Sequence, residues 1–246
     1  SYEYFDYDRT ADRGIPSLDG RPLPTDERTF FGDPEQSPTR ATVNQFAVVL
    51  DRAIGENAHL RNRTMYADYD KFYQNVFPGA VNALAGTVQI TAYNNEQLRE
   101  NLFNQTDLTI AFNSGAIRHR FLAGVEFGEQ VTDNFRNTGF FNDTTTSVQA
   151  PLADPTISVP LSFRQSATDA DNHGRATIAA VYLQDQVEFS PHFDAVFGLR
   201  FDRFEMDFRN NRTGARFDST DDLVSPRAGL IYKPVESVSI YTSYSM

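Results

Sequence analysis

The chain has 246 residues, enough for one large domain or two small ones, and its 33 acidic and 22 basic residues give a formal charge of −11. That charge argues against nucleic-acid binding, which needs a basic face, and the lack of any apolar run of about 18 residues excludes helical membrane spans. Because the chain has no cysteine, it can form no disulfide and no thiolate metal site.

Alternating apolar and polar residues predict long β-strands, because successive side chains on a strand point to opposite faces. The aromatic start of the chain, around Tyr2 and Tyr4, gives the first strand. Residues 43–54 give the second strand, and a turn at 55–58 leads into a partner strand from 59 to about 73. These segments predict a hairpin preceded by a long connection.

Three further hairpins repeat this pattern of strand, tight turn and strand. Asp185 interrupts the apolar face of its strand, and a β-bulge at that position would explain it. The hairpins comprise residues 108–112 and 121–127 around a turn at 113–115, residues 179–189 and 193–201 around a turn at 190–192, and residues 224–232 and 238–240 around a turn at 233–237.

The tight turns alternate with long polar connections at roughly residues 9–41, 74–86, 137–173 and 210–222. About nine strands are counted in all. This asymmetry is typical of an outer-membrane barrel, with short periplasmic turns and long extracellular loops. The alternative is a soluble β-sandwich or soluble barrel, whose strands are usually shorter, about five or six residues. The sequence therefore predicts an all-β fold, an antiparallel up-and-down transmembrane β-barrel.

The chemistry of the bilayer indicates which face of the barrel meets lipid. A charge at mid-bilayer costs about 2–4 kcal/mol, so we expect the apolar faces to point outward and residues such as Glu126, Gln184 and Arg200 to line the lumen. Nine strands cannot close a bacterial single-chain barrel, which has an even number, and open edges are not tolerated in lipid. We therefore expect the 246 residues to be an internal part of a larger barrel.

Eight stretches spread over nearly the whole chain resemble the sequence motifs of one known family. They are Arg13–Ser17, Thr29–Pro34, Leu60–Thr64 with Phe77–Gly79 after it, Phe121–Phe127 (FLAGVEF), Val181–Gln186 (VYLQDQ), Phe197–Asp202 (FGLRFD), Ser225–Leu230 (SPRAGL) and Ser239–Ser245. In this order they resemble the barrel of TonB-dependent outer-membrane siderophore receptors, most of all the catecholate and ferrichrome-type branch.

The resemblance implies a 22-stranded barrel whose lumen is plugged by a separate N-terminal domain. Residues 1–246 would be part of that one barrel domain, and the plug domain would lie outside this chain. The family imports ferric siderophores with energy from the TonB complex, received through the plug. The implied setting is the bacterial outer membrane, with its lipid and lipopolysaccharide, and the implied function includes no enzymatic activity and no cofactor.

The family holds its ligand in an extracellular-facing cavity lined by basic and aromatic side chains. Arginine supplies charge and planar donors, and aromatic rings supply stacking surface, which suits an anionic aromatic iron chelate. The alternative for each such residue is that it packs its own loop. The loop candidates are Arg13, Arg21, Arg28, Phe30 and Phe31 in the first connection, Tyr73 and Phe77 at the second, and Arg136, Phe140 and Phe141 at the third.

Other functions are less well supported by the sequence. A passive porin or other diffusion channel is the main alternative, and the receptor-like motifs argue against it. A catalytic Ser/His pair on adjacent strands would favour an outer-membrane enzyme, and none is evident in the sequence. Asp169–Gly174 begins like a calcium loop but lacks its remaining ligands, and the four histidines have no metal-ligand spacing, so we predict no metal site.

Overall fold

The computed structural model describes all 246 residues. The chain contains thirteen β-strands and the connections between them. No helix in it is long and apolar enough to cross a membrane. The strands are β1 Tyr2–Thr10, β2 Ser17–Leu18, β3 Arg21–Pro22, β4 Pro38–Ile54, β5 Ala58–Asn82, β6 Thr87–Ser114, β7 Ile117–Phe141, β8 Ser147–Pro151, β9 Leu161–Arg164, β10 Asp171–Ser190, β11 Phe193–Asn210, β12 Arg216–Val235 and β13 Val238–Ser245.

Nine of these strands form one antiparallel path in the order β1-β4-β5-β6-β7-β10-β11-β12-β13. Two short strands extend it, since β8 pairs with the start of β6 and β9 pairs with the end of β7. β2 and β3 form a separate small ladder within the first long connection. The predicted all-β antiparallel fold with about nine long strands is confirmed, and the sheet is open, as expected for part of a barrel.

All four predicted tight turns are present, at residues 55–57, 115–116, 191–192 and 236–237, and all lie at one end of the sheet. Two predicted long connections are wrong in extent, because residues 74–82 continue β5 and residues 216–222 continue β12. Residues 216–222 are mostly polar and pair regularly with β11, whereas residues 74–82 contain Pro78 and Gly79 and shift register against β6 between Pro78 and Val81. Proline, glycine and polar residues indicated loops in these segments, but backbone pairing with the neighbouring strand continues through both.

The sheet has one apolar and one polar face, and neither is covered by a second layer. On the apolar face, register aligns Val125, Val181, Phe201 and Val224 across four strands. Only 29 of the 246 residues are buried, and Leu199 on this face is 52% exposed. On β7 the apolar-face positions run without a histidine or charge from Phe121 to Phe127, seven residues or roughly 24 Å of strand, which fits within a lipid-facing band about 25 Å tall.

Asp185 lies on the apolar face without a bulge, so that prediction is wrong. The register is regular at Asp185, and the irregularity falls between Glu188 and Ser190. The Oδ2 atom of Asp185 lies 2.7 Å from Nδ1 of His119, whose Nε2 lies 3.0 Å from the Ser114 hydroxyl beside a tight turn. These hydrogen bonds connect the carboxylate to the aqueous edge of the sheet.

The only sizeable hydrophobic core lies at the opposite end, among the long connections. It joins first-connection residues to β5, β6, β7 and β8 and so fixes how the loops sit on the strand ends. Gly32 approaches β5 so closely that an added Cβ would lie 1.9 Å from the Val76 carbonyl oxygen. The buried members of this loop core are Leu23, Phe31, Val76, Val88, Ile90, Ala92, Phe141 and Ala150.

Exchanging Leu199 for Arg tests the assignment of the two faces. We expect Leu199→Arg to lower the unfolding free energy by about 2–4 kcal/mol, because it places a charge in the lipid-facing band. Gln184→Arg, on the polar face of the neighbouring strand, is the matched control and should cost much less. Chemical unfolding of the full-length protein in lipid vesicles measures both changes. Equal losses in the two variants would contradict the assignment.

The Asp185–His119 pair makes a second prediction. His119→Leu leaves the carboxylate without its partner, so we expect a loss of about 1–3 kcal/mol in unfolding free energy. The double variant His119→Leu with Asp185→Leu should regain most of that stability, since both partners become apolar. The same vesicle titration measures this, and a double variant no more stable than the single one would rule out the pairing as the cause.

Candidate functional site

Arginine and aromatic side chains meet at the end of the sheet opposite the tight turns. Tyr73 and Phe77 come from β5, Tyr93 from β6 and Arg136 from β7, and Arg13 reaches them from the connection after β1. Tyr73 and Phe77 are four residues apart on β5, so their side chains lie on the same face. The register of β5, β6 and β7 places Tyr93 and Arg136 beside them. We call these five residues the aromatic–arginine cluster.

Arg13 contacts three other members of the cluster, through its charge and through its hydrogen-bond donors. Its Cζ atom lies 4.9 Å from the centre of the Phe77 ring, and its Nη1 atom donates to the hydroxyls of Tyr73 at 3.4 Å and Tyr93 at 3.3 Å. The hydrogen bond with Tyr73 raises the pKa of Arg13, so the guanidinium stays charged. The rings themselves pack, with Phe77 edge-on to Tyr93 at 5.6 Å between centres.

Arg136 covers Tyr93 from the other side, with Cζ 4.0 Å from the ring centre. This distance is well within the range in which a cation is attracted to an aromatic face. Its Nε atom lies 3.4 Å from Oδ1 of Asp169 and has no hydrogen-bond acceptor. This Nε is buried and out of reach of a ligand, but the two terminal nitrogens make no hydrogen bond and remain available, while the ion pair fixes the position of the guanidinium.

Asp169 is the buried carboxylate that orders this region. Its Oδ2 accepts hydrogen bonds from the Ser166 N–H at 2.7 Å and the Thr138 hydroxyl at 2.8 Å. Burial alone would raise the pKa of Asp169, but these hydrogen bonds outweigh burial and hold the pKa below its usual value. Arg212, in the connection after β11, donates to the Asp169 carbonyl oxygen at 2.6 Å. Asp169 thus links two connections to Arg136.

The cluster is chemically suited to an anionic aromatic ligand. Two guanidinium groups flank aromatic rings that are only half-buried, so both charge and stacking surface face the solvent. The buried carboxylate of Asp169 is already occupied by its hydrogen bonds and its ion pair. No group of three or more His, Asp or Glu side chains could hold a metal ion.

Four of the ten predicted site residues, Arg13, Tyr73, Phe77 and Arg136, lie together in this cluster. The other six lie elsewhere. Phe31 and Phe141 are 2% and 0% exposed and pack the loop core, the alternative that the sequence left open. The Phe140 ring stacks against Arg164, with 3.6 Å between the ring centre and Cζ. Phe30 is half-buried, and its carbonyl oxygen accepts a hydrogen bond from the Thr156 hydroxyl. Arg21 and Arg28 are exposed and make no side-chain hydrogen bond or ion pair.

Sequence reasoning missed Tyr93 and the role of Asp169. Tyr93 falls in the polar stretch between two recognised segments, where residues 93–97 are polar or aromatic on both faces and show no alternation. Asp169 was predicted to lie in a polar loop, and nothing local in the sequence indicates that it contacts Arg136. Such contacts between distant segments become visible only in the fold.

The structure brings a serine and a histidine together on adjacent strands, a contact that sequence reasoning did not identify. Ser114 and His119 are within hydrogen-bond distance across the β6–β7 turn, and Asp185 completes a Ser–His–Asp line. The line lies on the apolar face at the tight-turn end, remote from the aromatic–arginine cluster. The line satisfies Oδ2 of Asp185 on a face that is otherwise apolar, whereas Oδ1 is buried and has no hydrogen-bond partner.

Comparison with known proteins gives consistent results. The family model described as TonB dependent receptor-like, beta-barrel matches residues 1–246. The chain is 28% identical over 276 residues to the probable TonB-dependent siderophore receptor PiuA of Acinetobacter baumannii, covering 100% of this chain and 36% of that protein. It is 24% identical over 294 residues to the catecholate siderophore receptor Fiu of Escherichia coli (strain UTI89 / UPEC), covering 100% and 37%.

The fold agrees with a solved relative. The crystal structure of the siderophore receptor PiuA from Acinetobacter baumannii superposes with a TM-score of 0.86 at 24% identity, covering 99% of this chain and 38% of that one. The chain therefore spans little more than a third of the length of the relatives it matches.

Asp169→Asn tests the ordering role of the buried carboxylate. We expect faster amide hydrogen exchange at residues 165–170 and around Arg136, because the neutral amide weakens the hydrogen bonds and ion pair. Asp143→Asn, which alters an exposed ion pair with Arg164, is the control and should leave both regions unchanged.

The pKa of Asp169 also sets a pH dependence. A carboxylate whose folded pKa is lowered stabilises the fold above the unfolded pKa of about 3.9 and loses that effect as pH falls through the folded value. Protection of residues 165–170 should therefore be constant between pH 5 and 8 and fall only in stronger acid. Protection that fell near pH 6 would contradict this assignment.

Proposed function

Because the chain belongs to the TonB-dependent receptor-like β-barrel family, we propose that the longer protein containing it imports a ferric siderophore across the outer membrane. Its relatives in this family are outer-membrane siderophore receptors, and the chain forms part of such a barrel. The iron chelate is the transported cargo, so the function requires no resident cofactor.

One observation carries the proposal: two arginines are held against aromatic rings at the outer end of the polar face. A chelate with aromatic, anionic oxygen donors would stack on the exposed parts of these rings and receive hydrogen bonds from the guanidinium groups. A relative named as a catecholate receptor supports a ligand of this class. The aromatic–arginine cluster would be one wall of the binding site.

The chain spans little more than a third of the length of the relatives it matches, and we infer that the longer protein supplies the rest of the transport machinery. We infer that a plug domain completes the site and receives energy from the TonB complex, and that outer-membrane lipid and lipopolysaccharide surround the apolar face. Family members are transport receptors, so we infer that import involves no covalent chemistry. No observation favours the passive porin.

Arg136→Ala in the full-length protein tests the proposed site. Loss of a charged hydrogen bond of about 1.5–3 kcal/mol should weaken binding of a ferric tris-catecholate at least roughly tenfold, as measured by titration of the purified protein. Arg164→Ala, which removes an exposed arginine outside the cluster, should bind normally. Wild-type protein that binds no ferric chelate would overturn the function, and equal affinities for wild type and Arg136→Ala would overturn the site.

A further inference from the structure

Ser114, His119 and Asp185 meet at the tight-turn end of the apolar face with the atom pairing of a catalytic triad. The Ser114 hydroxyl lies 3.0 Å from Nε2 of His119, and Nδ1 of the same imidazole lies 2.7 Å from Oδ2 of Asp185. A serine hydrolase uses the two ring nitrogens in this way, since Nε2 takes the hydroxyl proton while the carboxylate holds the imidazole in the correct tautomer. Such triads are recognised by geometry and not by their order in the sequence. The arrangement therefore fits a nucleophilic serine.

The surroundings of these residues fix the imidazole and leave the serine open. The Phe112 ring stacks on the imidazole, with 4.7 Å between ring centres and 4° between the planes. The side chain of His119 is only 16% exposed and that of Asp185 25%, whereas Ser114 is exposed. Because Oδ1 of Asp185 is buried without a hydrogen-bond partner, the charge of this carboxylate is directed mainly at the imidazole. A covered base next to an accessible hydroxyl is what acyl transfer requires.

The turn that follows Ser114 offers donors for the oxyanion that forms when an ester carbonyl is attacked. Gly115 and Ala116 make up the turn between β6 and β7, and neither N–H makes a hydrogen bond. The N–H directly after a nucleophilic serine is a common component of an oxyanion hole. Nucleophile, base and oxyanion donors therefore lie within one hairpin end and the strand beside it.

A shallow groove of about 240 Å³ lies on the same face, further from the turns. Ala123 has the smallest side chain among its apolar residues and stands between Leu108 and Leu183 in the register, which creates the depression. It lies four residues along β7 from His119, about 13 Å, a distance that a fatty acyl chain exceeds. The apolar side chains of β6, β7 and β10 that line the groove are Leu108, Ala123, Val125, Val181 and Leu183.

We propose that Ser114, His119 and Asp185 form a hydrolytic site for the acyl esters of phospholipids in the inner leaflet of the outer membrane. The short turns of an outer-membrane barrel lie at its periplasmic end, so Ser114 is at the level of the phospholipid ester bonds. The groove continues from there into the hydrocarbon and would take the acyl chain. This activity does not depend on the proposed import, because it uses the opposite face and the opposite end of the sheet.

The reaction consumes water and needs no other reactant. Oγ of Ser114 attacks the ester carbonyl carbon while Nε2 of His119 takes the hydroxyl proton, and the carbonyl oxygen becomes the oxyanion. The bond to the glycerol oxygen then breaks, and the lysophospholipid leaves with the proton from His119. Water attacks the acyl-serine and gives a proton to His119, which returns it to Oγ as the fatty acid departs. Asp185 is a positioning residue that acts through the imidazole.

The test uses the purified full-length protein in vesicles of phosphatidylethanolamine and phosphatidylglycerol, with fatty-acid release as the measurement. Ser114→Ala removes the nucleophile and should lower the rate by at least roughly a hundredfold. Ser237→Ala, in the turn between β12 and β13, is the matched control and should keep the wild-type rate. Asp185→Asn should lower the maximal rate per folded protein by a similar factor while the half-saturating lipid concentration stays within about twofold.

A fluorophosphonate probe gives a second readout, because it bonds covalently only to an activated serine. We expect mass spectrometry to find the label on Ser114 in wild type and in Ser237→Ala, and no label in Ser114→Ala. Folded wild-type protein that neither releases fatty acid nor takes the label at Ser114 would overturn the hydrolytic site. Fatty-acid release that persists in Ser114→Ala would assign the activity to another serine or another protein and would overturn it as well.

Discussion

The structure depends on the need to pair every backbone hydrogen-bonding group where a sheet meets lipid. Unpaired N–H and C=O groups cost several kcal/mol in hydrocarbon, so strands there must be long and continuously paired. The strands meet this need, with β5, β6 and β7 running for 25, 28 and 25 residues. Their ladders extend past the lipid-facing band, and that excess length carries the aromatic–arginine cluster.

The two-residue repeat of a strand gives these ladders two independent surfaces. One face can be uniformly apolar for lipid while the residues between carry amides, arginines and aromatic rings. An exception such as Asp185 is tolerated because His119 and Ser114 connect it to water by hydrogen bonds. The same alternation lets strands that face lipid on one side present the aromatic–arginine cluster on the other.

Much of the fold could be predicted from the sequence, because strand alternation and tight turns are local signals. All four tight turns and the strand segments next to them were predicted in this way, whereas the far ends of β5, β6 and β12 were not. The site was only partly predictable. Arg13 and Arg136 were recognisable by residue type, but Phe31 and Phe141 were not distinguishable from ligand-binding aromatics, since burial in the loop core depends on contacts between distant connections. For the same reason the contact of Asp169 with Arg136 could not be inferred.

The loop core has a consequence for how such a protein can diversify. The loop core lies outside the bilayer and is held together by hydrophobic packing, whereas the strands in the bilayer are held by backbone hydrogen bonds and by contact with lipid. Different substitutions are therefore tolerated in the two parts. Changes in the first connection around Phe31 act on the strand ends that it packs against, while the lipid-facing segments keep their register through their own ladder. A lineage could therefore exchange one cargo for another by remodelling a small water-exposed cap while keeping an unchanged membrane wall.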